Sequence, residues 1–228
     1  MTFAEKVTAF NRSLSYNGTL PAGIRIMNPF EELSEALRIS ERFYNKYYND
    51  SNTRKIILGI NPGRFGAGIT GIPFTDTKRL ADKCGISAEG ISSHETSSVF
   101  VYDLINKYGG PEKFYRDFYI NSVCPLGFVK TGSKGREVNY NYYDDIELTS
   151  SLLEFIMFSL KEQLSFGIDR ETGFCLGTGK NYNFLNKLNK ELTLFDRLIP
   201  LEHPRFIMQY RLKKKDEYIE KYLRLLKQ

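Results

Sequence analysis

Short apolar runs alternate along the chain with longer segments in which apolar residues recur at helical spacing. Residues 55–60, 117–123, 173–178 and 197–202 are four such runs, each mostly apolar rather than cleanly alternating. Strands of a parallel sheet that is covered on both faces have this composition, because both sets of side chains are buried. We therefore predict four strands in one buried parallel sheet.

The segments around these runs predict helices. Residues 97–110, 144–164, 181–191 and 213–228 place apolar side chains three and four positions apart, and residues 3–14 and 31–48 are predicted to be mostly helical as well. In the last segment, Ile219, Tyr222 and Leu226 fall on one face. Strands that alternate with helices predict an α/β fold with helices on both faces of a parallel sheet.

The length and composition fit a single domain over residues 1–228, which is long enough for a sizeable core. No apolar run approaches the roughly 18 residues of a membrane span, so we expect no membrane partner. The first residues lack the pattern of a signal peptide, from which we expect an intracellular protein. The net charge of +5 permits nucleic-acid binding without requiring it.

Few residues are available for metal or disulfide chemistry. Cys84, Cys124 and Cys175 are far apart and form no C-x-x-C pair, which disfavours a disulfide framework and an iron–sulfur cluster. The two histidines, His94 and His203, are too few for a His-based zinc site. We therefore expect neither a metal nor another cofactor.

Candidate chemistry is concentrated where the predicted strands end. Residues 57–74, ILGINPGRFGAGITGIPF, are glycine-rich but match neither a Walker loop nor a dinucleotide-binding loop. Asn61 follows the first strand, Asn121 lies near the end of the second, and His203 follows the fourth. Ligands of parallel α/β sheets bind beyond the carboxyl ends of the strands, so we expect these side chains to share one crevice.

Three motifs in this order resemble the uracil-DNA glycosylase superfamily. They are GINPGRFGAGITGIPF, NSVCPLGF and LEHPR, and they are most similar to those of the SMUG type, the single-strand-selective monofunctional uracil-DNA glycosylases. The resemblance implies a three-layer α/β/α fold around a central four-stranded parallel sheet. It also implies a monomeric enzyme of the bacterial cytosol or nucleoid, which uses water and no cofactor to cleave a damaged base, flipped out of DNA, from its sugar.

The resemblance assigns two catalytic residues. Asn61 would orient the attacking water, since an amide is too weak a base to deprotonate it strongly. His203 would meet O2 of the base and stabilise the negative charge that develops there. Each residue has a structural alternative, because an Asn can cap the turn after a strand and a His beside a proline turn can be held by hydrogen bonds.

Four positions are predicted to bind the base. Asn121 would read N3–H and O4 of uracil, a pattern that cytosine reverses, and Phe74 would stack on the ring. Gly63 would let the backbone approach the ligand, and Ala67 replaces a larger family Met near the C5 edge of the base. The structural alternatives are an Asn that satisfies the backbone, a core Phe and simple turn geometry.

DNA contacts are predicted in two further segments. The candidates are Lys130, Lys134 and Arg136 in the first and Arg205, Phe206, Ile207, Met208 and Arg211 in the second. The basic residues would contact phosphates, although a charge run can equally form a solvated face. Among the three apolar residues we expect the wedge that fills the vacated base stack. The last motif, HPRFIMQYR, is shorter than its SMUG counterpart, so it does not assign the wedge to one position.

Uracil in DNA is the predicted substrate, with xanthine and 5-substituted uracils as further candidates. Xanthine presents O6, N1–H and O2 in nearly the pattern of uracil O4, N3–H and O2, whereas hypoxanthine lacks O2. Two other functions stay open at this stage. One is a nucleosidase-like hydrolase of free nucleosides, which would lack salt-dependent DNA binding; the other is a non-catalytic module that binds damaged DNA, which would release no base.

Overall fold

The computed structural model describes residues 1–132 and 135–228. Its helices are α1 (Phe3–Ser13), α2 (Pro29–Glu32), α3 (Ser34–Tyr47), α4 (Ala67–Thr70), α5 (Thr77–Cys84), α6 (Thr96–Tyr108), α7 (Pro111–Asp117), α8 (Ile146–Ser165), α9 (Lys180–Leu192), α10 (Pro204–Tyr210) and α11 (Lys215–Leu226). Its strands are β1 (Ile24–Met27), β2 (Arg54–Gly59), β3 (Phe118–Ser122), β4 (Gly127–Thr131), β5 (Glu137–Tyr140), β6 (Ile168–Leu176) and β7 (Arg197–Leu201).

Four strands form the parallel sheet that the sequence predicts. Their order is β3-β2-β6-β7, and each neighbouring pair is parallel. Leu58 of β2 lies between Asn121 of β3 and Cys175 of β6, so the carboxyl ends of these strands emerge at the same edge. The four predicted strands are confirmed, and β6 begins earlier than expected, at Ile168.

Helices cover the sheet, which confirms the predicted three-layer α/β/α fold. All residues of β3 are buried, although successive side chains of a strand point to opposite faces, so both faces must be covered. α7 packs against β2 and β3, whereas α8 and α9 pack against β6. The buried apolar side chains of these layers form one continuous core.

The chain also forms a three-stranded antiparallel sheet that we did not predict, in the order β1-β4-β5. Its strands are short, and β5, with the sequence EVNY, is largely exposed. Neither a long apolar run nor a clean alternation therefore marks it in the sequence. This sheet matters for the site because β5 leads into the segment 140–142, whose backbone contacts Asn61.

The long predicted helices are present, and the differences concern short elements. The predicted helix over 31–48 is two helices, α2 and α3, with Leu33 between them. The sequence did not predict α5, α7 and α10, because seven or eight residues complete too few turns to show a helical period. Within the described ranges, no helix is long and apolar enough to cross a bilayer.

Candidate active site

A pocket of about 290 Å³ opens at the carboxyl edge of the parallel sheet. The structure brings five residues predicted to act on the base together in its walls: Asn61, Gly63, Ala67, Phe74 and His203. The remaining lining residues are Ile60, Pro62, Pro73, Glu95, Ser97, Ser122, Asn139, Asn141, Arg205, Phe206, Gln209 and Tyr210. The volume lies near the lower end of the range for small-molecule sites.

Asn61 lies in the turn beyond β2, where backbone groups hold its side-chain amide. Its Nδ2 donates to the Tyr140 carbonyl at 3.2 Å, and its Oδ1 accepts from the Tyr142 N–H at 3.3 Å. A second donation, at 3.4 Å, reaches the Pro62 carbonyl. These contacts fix the orientation of the amide. Since an amide oxygen has two lone pairs, Oδ1 can still accept a hydrogen bond from a molecule in the pocket.

Phe74 presents its ring to the same pocket. The ring centre lies 5.7 Å from that of His203, with the two planes tilted by 53°. The backbone of Phe74 has φ +53°, which is unfavourable for a bulky residue. Gly59 makes room for the ring, because a Cβ at this position would lie 3.2 Å from it. Backbone strain of this kind persists where the surrounding structure fixes it, and it is concentrated at ligand sites.

His203 caps the N-terminus of α10. Its Nδ1 accepts the Arg205 backbone N–H at 3.1 Å. An accepting Nδ1 carries no proton, so the neutral ring carries its proton on Nε2. Burial of the ring, together with the charge of Arg205, lowers the pKa of His203 from 6.5 to about 4. Near neutral pH the residue is therefore an uncharged hydrogen-bond donor.

Asn121 does not line the pocket, whereas its neighbour Ser122 does. The Asn121 Nδ2 donates to the Tyr119 hydroxyl at 2.6 Å, and its Oδ1 accepts the Ser122 N–H at 2.9 Å. Asn121 instead borders an adjoining cavity of about 10 Å³, which shares Pro62, Ala67 and Pro73 with the pocket. Asn121 therefore lies next to the pocket rather than in its lining, and its role in reading the base stays a prediction.

Several pocket residues come from segments that no motif marked. Glu95 and Ser97 lie at the start of α6, and Asn139 belongs to β5. The Asn139 Oδ1 accepts the Arg64 backbone N–H at 3.1 Å, which ties the glycine-rich loop to the second sheet. The packing of α6 and of the antiparallel sheet places these residues at the pocket. No local sequence pattern predicts this position.

Exposed aromatic and basic side chains of α10 and the residue after it form a rim beside the pocket. Phe206 is 40% exposed and Tyr210 is 67% exposed, and their ring centres lie 5.7 Å apart. The Arg211 guanidinium lies 5.5 Å from the Phe206 ring centre, and the exposed Arg205 lines the pocket itself. We refer to Arg205, Phe206, Tyr210 and Arg211 as the α10 rim.

Two of the three apolar residues predicted at the DNA are placed elsewhere. Ile207 is fully buried, and Met208 is partly buried and packs against the core. Ile207 therefore cannot reach DNA from this position, which corrects the sequence-based prediction. The physical reason is the helical turn of α10, which directs Phe206 outward and Ile207 inward.

Lys130 and Arg136, two of the predicted basic residues near β4 and β5, do not line the pocket. The Lys130 Nζ lies 5.0 Å from the ring centre of Tyr140, and Arg136 is exposed. Lys134 lies outside the described residues. A contact between these residues and DNA stays a prediction.

No cluster of three or more His, Cys, Asp or Glu side chains that could hold a metal ion occurs in residues 1–132 and 135–228. The three cysteines are buried and unpaired with one another. Burial raises the pKa of the Cys124 and Cys175 thiols to about 12, so both are protonated at neutral pH and unreactive as nucleophiles.

Comparison with known proteins identifies the protein family. The sequence model of the uracil DNA glycosylase superfamily matches residues 45–227, which include the parallel sheet and the whole pocket. The chain belongs to the uracil DNA glycosylase superfamily.

Within this superfamily the chain is similar to proteins of the SMUG type. It is 56% identical to SMUG2 of Pedobacter heparinus in a crystal structure, with a TM-score of 0.97, over 100% of this chain and 97% of that one. It is 27% identical over 126 residues to the single-strand selective monofunctional uracil-DNA glycosylase of Rattus norvegicus and 27% identical over 118 residues to that of Bos taurus. These two matches cover 48% and 44% of this chain, but only 44% and 42% of the relatives.

Proposed function

We propose that the protein is a monofunctional DNA glycosylase that hydrolyses the N-glycosidic bond of uracil in DNA and so begins base excision repair. The observation that carries this proposal is the convergence of Asn61, Phe74 and His203 on one pocket, next to an exposed aromatic and basic rim. Membership of the superfamily and similarity to SMUG-type proteins support it.

Asn61 is assigned the role of positioning water. Its Oδ1, held by the Tyr142 N–H, would accept a hydrogen bond from the water that attacks C1′ of the sugar. Cleavage gives the sugar oxocarbenium character, which makes even a weakly activated water an adequate nucleophile. The water supplies oxygen to C1′, one of its protons ends on the released base, and the base leaves with the bonding electrons.

His203 is assigned the stabilisation of the leaving base. As the bond breaks, negative charge spreads onto the base oxygens, including O2 of uracil. A neutral His203 that donates from Nε2 would stabilise this charge. Its orientation is set in advance by the hydrogen bond from the Arg205 N–H to Nδ1. A donor already aimed at the developing charge lowers the barrier because it need not reorient during the reaction.

Three further residues are proposed to hold the base. The Phe74 ring would stack on it, and Gly63 and Ala67 would leave it room. Ser122 is in a position to meet a polar edge of the base. The Asn121 amide uses one N–H and one lone pair in its contacts with Tyr119 and the Ser122 N–H, so it keeps a donor and an acceptor for a base that reaches the adjoining cavity.

DNA is favoured over free nucleosides as the substrate because the pocket opens beside the α10 rim. Phe206 is positioned to act as the wedge that fills the gap left by a flipped base, and Arg205 and Arg211 are positioned to meet phosphates. A nucleosidase would need neither an exposed aromatic wedge nor cations at the pocket mouth.

The test is an excision assay on an oligonucleotide with a single uracil, in single-stranded and duplex form, followed by alkali to cleave abasic sites. We expect cleavage at the uracil position, unchanged by EDTA, and no adduct trapped by borohydride. No lysine of the described residues lines the pocket, which agrees with water as the nucleophile. Absence of cleavage with either DNA form, together with hydrolysis of free uridine or deoxyuridine, would instead identify a nucleosidase.

A further inference from the structure

Glu95 is an acidic residue in the pocket wall for which the proposed mechanism gives no role. It lines the pocket together with Asn61 and His203. Its Oε2 atom is fully buried and has no hydrogen-bond partner among the described residues. A buried carboxyl oxygen without a partner is especially costly when the group is charged, so this environment favours a neutral Glu95 in the pocket wall.

Hydrogen bonds fix the position of the Glu95 backbone. The buried Asp76 Oδ2 accepts the Glu95 N–H at 3.0 Å and the Ser98 hydroxyl at 2.8 Å. The Glu95 carbonyl accepts the same hydroxyl at 2.7 Å. These contacts anchor the start of α6 to the N-cap of α5, and the Glu95 carboxyl lies against Gly66 of the glycine-rich loop.

The glycine-rich loop makes room for this carboxyl at Gly66. A Cβ on Gly66 would lie 2.2 Å from the Glu95 Oε2 and 2.5 Å from the carboxyl carbon. The carboxyl therefore occupies the space that any other residue at position 66 would fill. Two segments separated in sequence are thus fitted to each other at the wall of the pocket.

The electrostatic surroundings favour the protonated acid. Burial of the carboxyl is the main cause, and the negative charge of Asp76 adds to it, whereas Arg205 opposes them. Together they raise the pKa of Glu95 from 4.5 to about 7. His94 also faces this cluster, with its Nδ1 3.6 Å from the Asp76 Oδ2, and Arg79 pairs with Asp76 at 3.1 Å.

We propose that Glu95 binds the flipped base as a protonated carboxylic acid, donating a hydrogen bond to an acceptor atom of the base. This inference rests on the proposed glycosylase function and adds a base-binding residue to it. The ligand class is a base that presents a carbonyl oxygen or an unprotonated ring nitrogen to this wall.

Charge development in the reaction is the reason that the acid must be neutral. The base leaves as an anion, and an ionised carboxylate in the same pocket would repel it. A neutral carboxylic acid would instead donate to it, as buried acids do in other enzymes that stabilise an anionic intermediate. A base that fills the pocket also excludes water, which favours the uncharged form of Glu95 further.

The experiment compares Glu95→Gln and Glu95→Ala with the wild type in single-turnover excision of uracil, between about pH 5.5 and 8.5. The wild-type rate should be level at the acidic end and fall as the pH rises through the Glu95 ionisation. Glu95→Gln keeps a neutral donor, so its rate should stay within about tenfold of the acidic wild-type rate and be independent of pH. Glu95→Ala should be about 10²-fold slower at the acidic end.

Two controls make the result decisive. His94→Gln removes the imidazole that lies 3.6 Å from the Asp76 Oδ2 and should leave the wild-type pH profile unchanged. Circular dichroism and thermal unfolding of each variant check that the fold is retained. An alkaline fall that persists in Glu95→Gln, or a Glu95→Ala variant as fast as the wild type, would overturn the inference while leaving the glycosylase function intact. A wild type that releases no uracil at any pH would overturn the proposed function itself.

Discussion

At the scale of single residues, the pocket holds its polar groups in fixed orientations. The Asn61 amide is tied to the backbone of Tyr140 and Tyr142, and the His203 ring is tied to the Arg205 N–H. Preorganised dipoles stabilise a transition state better than mobile ones, because no reorganisation is needed as charge develops. Substitution of either residue should therefore affect the chemical step more than binding.

We expect Asn61→Ala and His203→Ala each to lower the single-turnover rate of uracil excision by about 10²–10³-fold. DNA affinity should change far less, because both residues act mainly on the transition state. Rates and affinities for the same uracil oligonucleotide provide the measurement. An equal loss of rate and affinity in either variant would contradict the role assigned to that residue.

The pH dependence of His203 has a defined direction. Its pKa is lowered to about 4, so the ring becomes charged only when the pH falls through that value. We expect its contribution to excision to be constant from about pH 5 to 8. The ratio of wild-type to His203→Ala rates measures this contribution, and a ratio that changes steeply around pH 6.5 would show that the ring titrates normally.

Neighbouring residues of β3 offer a matched test of base recognition. Ser122 lines the pocket, and we expect its hydroxyl to bond to the base, so Ser122→Ala should slow uracil excision by about tenfold, the size of one hydrogen bond. Asn121→Ala should alter thermal stability more than selectivity, because Asn121 bonds to Tyr119 and the Ser122 backbone. Excision of cytosine by Asn121→Ala, but not by Ser122→Ala, would support the recognition role that the sequence predicts for Asn121.

Substrate breadth depends on the room that Ala67 leaves at the pocket. We expect xanthine to be a secondary substrate, because it offers O2 to His203, and hypoxanthine to be poor, because it does not. Ala67→Met should slow xanthine excision more than uracil excision, since the larger side chain opposes the larger base. Single-turnover rates on matched oligonucleotides test this. If hypoxanthine were excised as fast as xanthine, a contact between O2 of the base and His203 would not explain the selectivity.

At the scale of elements, the short helix α10 serves both the pocket and the surface. Its N-cap His203 lines the pocket, its inward residue Ile207 anchors it in the core, and its outward residue Phe206 is exposed beside the pocket. One helix therefore couples the position of a surface aromatic ring to the position of the proposed catalytic residue His203. Excision from duplex and from single-stranded DNA can distinguish the role of Phe206 from that of His203.

Phe206→Ala should slow excision from duplex DNA by about tenfold, and from single-stranded DNA much less. A base in a duplex must be unstacked and unpaired first, which costs a few kcal/mol, and the wedge offsets part of this cost. Phe158→Ala is the matched control, because Phe158 is also an exposed phenylalanine but lies on α8 and does not line the pocket. Equal effects on both DNA forms would rule out a wedge.

At the scale of the whole molecule, positive charge near the pocket is expected to direct DNA binding. The net charge is only +5, so the location of the cations matters more than their total. Arg205 and Arg211 lie at the pocket edge of the sheet, whereas Arg116 precedes β3 at the opposite edge. A comparison of substitutions at Arg211 and Arg116 can therefore distinguish a local contact with DNA from a general effect of net charge.

Arg211→Gln should weaken DNA binding and reduce the slope of log affinity against log salt concentration by about 1, as expected for one lost phosphate contact. Arg116→Gln makes the same change of net charge away from the pocket and should leave the slope unchanged. Binding titrations at several salt concentrations measure both. Identical slopes for Arg211→Gln and the wild type would place Arg211 outside the DNA interface.

The sequence by itself determined the parallel sheet and the residues at its strand ends. β2, β3 and the second half of β6 are buried on both faces, and the edge strand β7 is partly buried, so their apolar composition marks them. Asn61, Phe74 and His203 follow strands or lie in a continuous motif, and the common direction of parallel strands was enough to predict that Asn61 and His203 meet. The short helices and the antiparallel sheet were not predicted, because their periods are too brief to be recognised.

Only the tertiary structure decided which neighbouring side chains the pocket receives. Ser122 lines the pocket and Asn121 borders the adjoining cavity because of the way β3 meets the pocket. Phe206 is exposed and Ile207 is buried because of the side of α10 that meets the core. Glu95 reaches the pocket through the packing of α6 against the glycine-rich loop. These relations join segments distant in the chain, and a local pattern of polar and apolar residues contains no information about them.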